Sequence, residues 1–149
     1  MNAINLDDLY LPEDVDEDMK QDFIEILQKI PDGWGRWITC DKGWYKLVID
    51  THKKLKYIDH NYEIHKIKEK FGGLRYYYHC SFPYNSIQRE IMDAIIWAAE
   101  LNAEITCETC GSNSYKDKVK MRVRRHWYKT LCIKCAKEQD YSIDEEEDE

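Results

Sequence analysis

The sequence predicts an α+β fold, a small helix-helix-hairpin-helix body followed by a C-terminal ribbon held by cysteines. Apolar residues recur at helical spacing in three segments, residues around a Gly-Gly pair alternate as in strands, and two Cys-x-x-Cys pairs lie in the last third of the chain. The body is predicted at residues 13–104 and the ribbon module at 105–137. An acidic N-terminal arm at 1–12 precedes the body, and an acidic disordered tail at 138–149 follows the ribbon.

The composition favours a soluble cytoplasmic protein. Of the 149 residues, 34% are charged, and the formal net charge is -7. No apolar run approaches the ~20 residues that a membrane-spanning helix needs, and the N-terminal residues lack the basic and apolar regions of a secretory signal. In a reducing compartment, paired cysteines are more often metal-binding or catalytic than disulfide-bonded.

The first two helices are predicted at residues 13–30 and 42–58. Pro31-Asp32-Gly33 would end the first helix, and Asp41 is a plausible N-cap for the second. In both segments a helical stripe recurs at three- and four-residue spacing. The stripe positions are Met19, Phe23, Ile26, Leu27 and Ile30 in the first helix, and Trp44, Leu47, Val48, Thr51, Leu55 and Ile58 in the second.

A β-hairpin is predicted where the period changes to two, in YEIHKIKEKFGGLRYYYHC. Phe71-Gly72-Gly73 would form its turn, because glycine adopts the positive φ that a tight hairpin needs. On the second strand, alternation divides the side chains between two faces. Leu74, Tyr76, Tyr78 and Cys80 share one face, while Arg75, Tyr77 and His79 share the other.

A third helix is predicted after Pro83, with Asn85 and Gln88 forming a capping box at its start. It carries a wide apolar stripe. The stripe consists of Ile87, Ile91, Ala94, Ile95, Ala98, Leu101 and Ile105. The order helix, helix, hairpin, helix is that of a small α+β body.

The cysteine pairs predict one structural zinc ion. Cys107 and Cys110 are separated from Cys132 and Cys135 by 21 residues, which is the spacing of four-cysteine zinc sites. A redox Cys-x-x-Cys opens a helix after a strand and needs only one pair. A catalytic zinc needs an open coordination position, and four cysteines leave none. The four cysteines are therefore interpreted as a structural clip.

A basic strand is predicted between the two cysteine pairs. Residues 116–137 contain nine Lys and Arg against one acid, Asp117. Val119, Met121 and Val123 alternate with cations, which predicts an apolar face turned inward and cations turned outward. The cationic row has four interpretations: a solvated face, a phosphate contact, a contact with an acidic protein partner, or a contact with the chain's own acidic tail. The candidate binding residues are Lys118, Lys120, Arg122, Arg124 and Arg125, with Trp127 for stacking.

Catalysis is not predicted. Charged residues around the hairpin could place a general base beside a cation, but they are interpreted as a charged strand rim. These residues are Lys68, Glu69, Lys70, Arg75, Tyr77 and His79. The chain has no Ser/His/Asp pattern, and Phe71-Gly72-Gly73 lies between strands, without the helix N-terminus of a phosphate loop.

Four segments together resemble a family of small uncharacterised phage and bacterial proteins: IKEKFGGLRYYY, CETCG, WYKTLC and CIKC. That family carries a Lys-Phe-Gly-Gly-Leu-Arg segment followed by two zinc knuckles, and the resemblance covers residues 34–136. Many members end the second knuckle in His where this chain has Cys135, and His126 replaces a glycine. Both Cys and His bind zinc, so the resemblance implies a metal site.

The resemblance to phage proteins implies a host-facing role in the host-cell cytoplasm, by analogy. The leading hypothesis is a non-enzymatic zinc-binding protein that binds a host protein as an inhibitor or adaptor. The alternative is a nucleic-acid-binding zinc ribbon that uses the basic strand at residues 118–125.

Overall fold

The computed structural model describes residues 8–147. Its elements are the helices α1 (Lys20–Gln28), α2 (Tyr45–Ile58), α3 (Ile87–Ala103) and α4 (Ile133–Glu138), and the strands β1 (Glu63–Lys70), β2 (Gly73–His79), β3 (Lys120–Arg124) and β4 (Trp127–Leu131). The strands form two separate antiparallel pairs, β1-β2 in the body and β3-β4 in the ribbon. The predicted α+β class is therefore confirmed.

The β1-β2 hairpin turns where the sequence predicts. Phe71 and Gly72 have φ values of 53° and 83°, as the two central residues of a tight two-residue hairpin turn require. Leu74 and Tyr76 are buried on the predicted inner face, whereas Tyr77 on the other face is exposed. The hairpin thus presents one apolar face to the helices.

The body core lies between this face and helices α1, α2 and α3. Helix α1 is shorter than the predicted 13–30, with one 3-10 turn at Glu17–Met19 before it. Residues 13–18 contain five acids and one apolar side chain, Val15, so they lack the apolar stripe that would stabilise a helix by packing. Helix α2 likewise follows a 3-10 turn, Lys42–Trp44.

Asp41 does not cap the second helix through its side chain. Its carboxylate instead accepts a hydrogen bond from Lys129 Nζ of strand β4 at 2.5 Å. Asp41 does lie at the N-cap position of the 3-10 turn before α2, but a cap bond from its side chain is absent. The prediction of that bond was wrong because it considered only neighbours along the chain. The carboxylate is used in a contact between the body and the ribbon.

Helix α3 differs from its prediction at its start. Its N-cap is Ser86, whose Oγ accepts the backbone N–H of Arg89 at 3.2 Å. The predicted capping box of Asn85 and Gln88 is therefore wrong by one residue. Serine satisfies the same free backbone donors at a helix start.

The apolar stripe of α3 is mostly on the outside. The helix buries Met92, Ala99 and Ala103, and it packs against α2 and β2. Of the stripe residues, only Ile95 packs against the body core. The small side chains of Ala99 and Ala103 let the helix approach the body closely. The other stripe residues, Ile87, Ile91, Ala94, Ala98, Leu101 and Ile105, are exposed.

The described part of the acidic arm lies against the body. The Tyr10 backbone N–H donates to the carbonyl of Arg36 at 3.0 Å, and the Tyr10 ring meets Trp37 edge to face at 5.9 Å. Residues 1–7 of the predicted arm and 148–149 of the predicted tail lie outside the described residues. Among residues 8–147, no helix has both the length and the apolar character to cross a membrane.

Candidate metal centre and ribbon surface

The structure brings the four predicted cysteines together. The Sγ atoms of Cys107, Cys110, Cys132 and Cys135 all lie within 4.8 Å of one another. A metal ion with four sulfur ligands at ~2.3 Å in a tetrahedron requires sulfur atoms about 3.8 Å apart. Cys110 Sγ and Cys132 Sγ are separated by 3.8 Å. The cluster could therefore hold one metal ion.

Two tight turns orient these sulfur atoms. Gly111 has a φ of 81° and donates its N–H to the carbonyl of Cys107 at 2.9 Å, which closes the first turn. In the second turn, Cys132 is the N-cap of α4, and its Sγ accepts the N–H of Cys135 at 3.4 Å. The sulfur atoms are held by backbone geometry, as in a preformed ligand set.

The acidities of the thiols differ with their surroundings. Burial raises the pKa of Cys110 and of Cys135, and the neighbouring cysteine side chains raise both further. Burial acts the same way on Cys107, but backbone N–H groups of Cys110, Cys132 and Thr109 outweigh it and hold its pKa below the ordinary value. Four sulfur atoms at this separation cannot all ionise without a compensating cation, because their charges repel. A bound divalent metal would supply that compensation.

The metal centre is joined to the body at the start of α2. The Trp44 indole N–H donates to the carbonyl of Thr106 at 2.8 Å, and the Gly43 N–H donates to the carbonyl of Glu108 at 2.7 Å. A Cβ atom at Gly43 would lie 2.2 Å from the Cys107 carbonyl oxygen. Only glycine allows this approach, so the ribbon module docks tightly on the body.

Glu108 is a buried acid that the sequence analysis missed. Glu108 is 2% exposed, and its Oε2 accepts a hydrogen bond from the backbone N–H of Asp41 at 3.0 Å. Within the described chain, Oε1 has no hydrogen-bond partner. Burial raises the pKa of Glu108 to about 7. Because Glu108 follows a cysteine in a polar segment, periodicity offered no signal that its side chain is buried.

The central part of the basic strand is oriented opposite to its prediction, whereas Lys118 and Arg124 are exposed and Val119 packs inward as predicted. Arg122 is 1% exposed, whereas Met121 is 58% and Val123 38% exposed. The prediction that Met121 and Val123 point inward and Arg122 outward was therefore wrong. Alternation shows only that the two sets lie on opposite faces, and a buried salt-bridge partner reversed the assignment.

That partner is the acidic tail. Arg122 Nη1 and Nη2 donate to Glu147 Oε1 and Oε2 at 3.0 and 2.9 Å. Lys120 Nζ forms salt bridges with Asp144 and Glu147. Hydrogen bonding from Arg122 is the main reason that the pKa of Glu147 falls to about 2. Among the four interpretations of the cationic row, contact with the chain's own tail is realised for Arg122 and Lys120.

The tail is also anchored by apolar contacts. Tyr141 is 7% exposed and belongs to the apolar cluster around the cysteines, and Ile143 packs against that cluster. Residues 145–147 form a 3-10 turn. The expectation of a disordered tail therefore does not hold for its described part, because the aromatic and charged contacts offset the entropy of ordering the chain.

The other candidate binding residues lie around the β3-β4 turn. The carbonyl of Lys118 accepts a hydrogen bond from Arg122 Nη2 at 2.7 Å. Arg124 donates to the Gln139 carbonyl at 3.0 Å and lies over the Tyr141 ring, with Cζ 5.0 Å from its centroid. Arg125 and Trp127 are exposed at the turn. The six predicted residues thus do not form one open cationic surface.

An apolar surface is exposed instead, which we call the ribbon face. It consists of Phe71, Met121, Val123 and Tyr128. Phe71 and Met121 line one groove between the body hairpin and the ribbon. Val123 and Tyr128 are directly paired across β3 and β4, so their side chains share a side of the sheet. Phe71 is 68% and Tyr128 41% exposed.

The hairpin residues considered for catalysis have structural contacts. Arg75 donates to the carbonyl of Leu74 at 3.1 Å, and the His79 ring stacks on His65 with centroids 5.8 Å apart. Tyr77 is exposed. These contacts fit the interpretation as a strand rim.

A buried polar chain inside the body was also missed by sequence reasoning. His52 Nδ1 lies 2.5 Å from Tyr62 Oη, which lies 3.0 Å from Tyr76 Oη. His52 Nε2 is 3.4 Å from Glu25 Oε2. Burial lowers the pKa of His52, and the nearby Glu25 opposes that change only in part. The sequence analysis placed Tyr76 on an apolar face and assigned no role to His52 or Tyr62, because contacts between distant segments leave no local pattern.

The cysteine cluster could hold a metal ion, and the resemblance to the phage and bacterial family rests on the four sequence segments given above. That family resemblance stays a prediction. Comparison with protein-family models, with curated proteins and with solved structures gives no match to this chain.

Proposed function

We propose that this chain is a non-enzymatic, zinc-stabilised interaction protein that acts by binding another protein through its ribbon face. The observation that carries the proposal is the division of the ribbon into two sides. The cationic side is occupied by the chain's own tail through Arg122 and Glu147, while on the apolar side Phe71, Met121 and Tyr128 remain 68%, 58% and 41% exposed. Exposed apolar patches rimmed by polar residues are typical of protein-binding sites.

Zinc is the metal that best suits the ligand set. Thiolate ligands favour soft or borderline metals, and a closed tetrahedral set of four is typical of structural zinc. Cys107, Cys110, Cys132 and Cys135 would hold it. When bound, the ion joins the segment after α3 to the start of α4, and so positions the strands between them. Its role is to stabilise the ribbon rather than to activate a substrate.

The partner is expected to present an apolar patch with acidic residues at its edge. Phe71, Met121 and Tyr128 offer large apolar and aromatic side chains, the types enriched at interface centres. Arg125 is exposed at the adjacent turn and would meet an acid at the edge. Following the family resemblance, we propose that this partner is a bacterial host protein and that the chain acts as its inhibitor or adaptor.

The nucleic-acid alternative requires a different state of the tail. Arg122 and Lys120 are bound to Glu147 and Asp144, so phosphate groups would have to displace those carboxylates. A chain ending at residue 138 would free the basic strand. Affinity of that shortened chain for single-stranded DNA, falling steeply with salt, would support the alternative.

The test is affinity capture from bacterial lysate with the tagged, metal-loaded protein, with and without nuclease. The test variant combines Phe71→Ser with Met121→Ser. The matched control combines Tyr57→Ser with Tyr115→Ser, which removes two side chains that are 86% and 87% exposed and are not among the four residues of the ribbon face. We expect a nuclease-resistant partner that the control retains and the test variant loses. Equal capture by both variants, or capture of nucleic acid alone, would overturn the proposal.

The metal is tested separately by elemental analysis of purified protein. We expect one zinc per chain, and no zinc in a variant with all four cysteines changed to serine. A fully folded protein that contains no metal would refute the structural role. This result does not depend on finding a partner, so the two parts of the proposal can fail independently.

A further inference from the structure

The outer face of helix α3 is apolar and uncovered. Ile87 is 71%, Ile91 43% and Leu101 43% exposed, and Ile105 just beyond the helix is 56% exposed. Trp97 on the same helix is 67% exposed. Side chains of this size are uncommon as a continuous stripe on a soluble surface, and such a stripe marks an interaction site.

The exposed residues have the spacing of a coiled-coil seam. We use the name α3 seam for Ile87, Ile91, Ala94, Ala98, Leu101 and Ile105. Successive members are separated by four, three, four, three and four residues. This repeat places one apolar line along a helix and is the pattern by which two helices pack side by side. The natural occupant of such a seam is therefore another helix.

The α3 seam is also symmetric about position 96. Ile87 corresponds to Ile105, Ile91 to Leu101, and Ala94 to Ala98. An antiparallel pair of identical helices with that centre would match each residue with one of similar size. A twofold dimer requires such a self-complementary surface. We propose that α3 is the interface of a homodimer, in which the α3 seams of two copies pack antiparallel about position 96.

The central residues of the α3 seam favour close packing. Ala94 and Ala98 would meet at the twofold axis, where small side chains let two helices approach closely. A groove between α2 and α3 lies beside this point, and Leu47 and Ile95 are among its lining residues. The twofold axis is perpendicular to the plane that contains the two helices, so equivalent side chains of the two copies lie on the same side of that plane. The two Trp97 side chains are therefore neighbours, about 3 Å apart along the helix direction.

The exposed side chains of the α3 seam supply more than half of the area that a stable dimer buries. At roughly 200 Å² for each fully exposed large side chain, the four large members of the α3 seam and Trp97 would bury roughly 500 Å² per copy. A stable interface buries about 800 Å² per partner. The seam alanines and the flanking residues of α2 would supply the remainder. Near the ends of the seam, Glu90 of one copy and Glu104 of the other lie at similar positions along the helix direction. Their negative charges repel each other, and salt screens that repulsion, so added salt is expected to strengthen the dimer.

The experiment measures mass by sedimentation equilibrium of the full-length, metal-loaded chain. The wild type is expected at twice its chain mass of 18.0 kDa. Leu101→Glu places a charge in the apolar seam of each copy, and we expect it to weaken dimerisation at least about 100-fold. Tyr115→Glu is the matched control, since Tyr115 is 87% exposed on a 3-10 turn outside α2 and α3, and it should remain dimeric.

A charge pair tests the antiparallel register. Ile91→Lys alone and Leu101→Glu alone should each be monomeric, whereas the double variant should recover the dimer, because residue 91 faces residue 101 of the partner copy. In a parallel pair the double variant would place like charges together and stay monomeric, which would overturn the register. Circular dichroism of each variant confirms that it is folded.

Two further results would overturn the homodimer. One is a wild type that remains monomeric at 200 μM chain. The other is a Leu101→Glu variant that dimerises as strongly as the wild type. A monomer that loses a captured lysate protein on Leu101→Glu would assign the α3 seam to a different protein. The ribbon face lies on other elements, so the capture experiment on Phe71 and Met121 tests the proposed function separately.

Discussion

The contact between the tail and the ribbon can be tested by changing Glu147 to glutamine. The substitution keeps the size of the side chain but removes the charge that faces Arg122, a residue 1% exposed. Two charge-assisted hydrogen bonds of 3.0 and 2.9 Å are affected. The segment that depends on them begins after α4, so we expect the tail to detach locally while the rest of the chain remains folded.

The free-energy cost of Glu147→Gln follows from the hydrogen-bond geometry and from the pKa of Glu147. Lowering the Glu147 pKa from 4.5 to about 2 corresponds to about 3 kcal/mol in favour of the ionised carboxylate. Arg122 keeps its bonds to the carbonyls of Leu131, Ser142 and Lys118, and glutamine keeps one acceptor. We therefore expect a cost of about 2 kcal/mol, which is about a 30-fold shift of the docking equilibrium toward the detached tail.

The assay is hydrogen exchange and limited proteolysis at neutral pH. Glu146→Gln is the matched control, because it makes the same charge change at an exposed neighbour. Exchange at the Ser142 amide, which donates to the Val123 carbonyl at 2.9 Å, should rise in Glu147→Gln and stay unchanged in Glu146→Gln. Equal exchange and equal cleavage in the two variants would refute the proposed anchoring.

Three other predictions concern the metal centre, its docking and the buried polar chain. Cys107→Ser should unfold residues 105–137 and release the tail while sparing much of the body, seen as selective loss of NMR dispersion there. Gly43→Ala should destabilise the protein by more than Gly33→Ala. The Gly33 position has open space for a Cβ atom but a φ of +85°, so we expect Gly33→Ala to cost about 1 kcal/mol. Equal urea midpoints for the two variants would contradict the close approach at Gly43. Burial lowers the pKa of His52 from 6.5, so His52 binds its proton at a higher pH in the unfolded chain than in the folded protein. The free energy of unfolding should therefore fall as the pH drops below about 6.5. This loss should shrink in His52→Asn, and identical slopes of unfolding free energy against pH would exclude the effect.

Local patterns were sufficient for the parts of the fold that depend on neighbours along the chain. The two-residue turn at Phe71 and Gly72 follows from glycine's access to positive φ. The spacing of Cys107, Cys110, Cys132 and Cys135 predicted that four sulfur atoms would converge. In both cases the structure depends on residues that are close together along the chain, so it can be predicted from the local sequence.

Contacts between distant segments were not predictable in this way. Asp41 is an ordinary N-cap candidate by its position, yet it binds Lys129, and Glu108 is buried against the start of α2. A charged residue in a polar segment has no local signature of burial. Its position depends on which surfaces meet when the ribbon module docks on the body.

The α+β class, the hairpin turn and the convergence of four cysteines were predictable from the chain alone, because each depends on local spacing and backbone preference. Which face of a periodic segment is buried depended instead on tertiary contacts. In α3 the small residues Ala99 and Ala103 pack inward, and the larger apolar stripe is left outside. In β3 a carboxylate from the tail draws Arg122 inward. Periodicity separates two faces, but their burial is chosen by the free energy of packing against partners far along the chain.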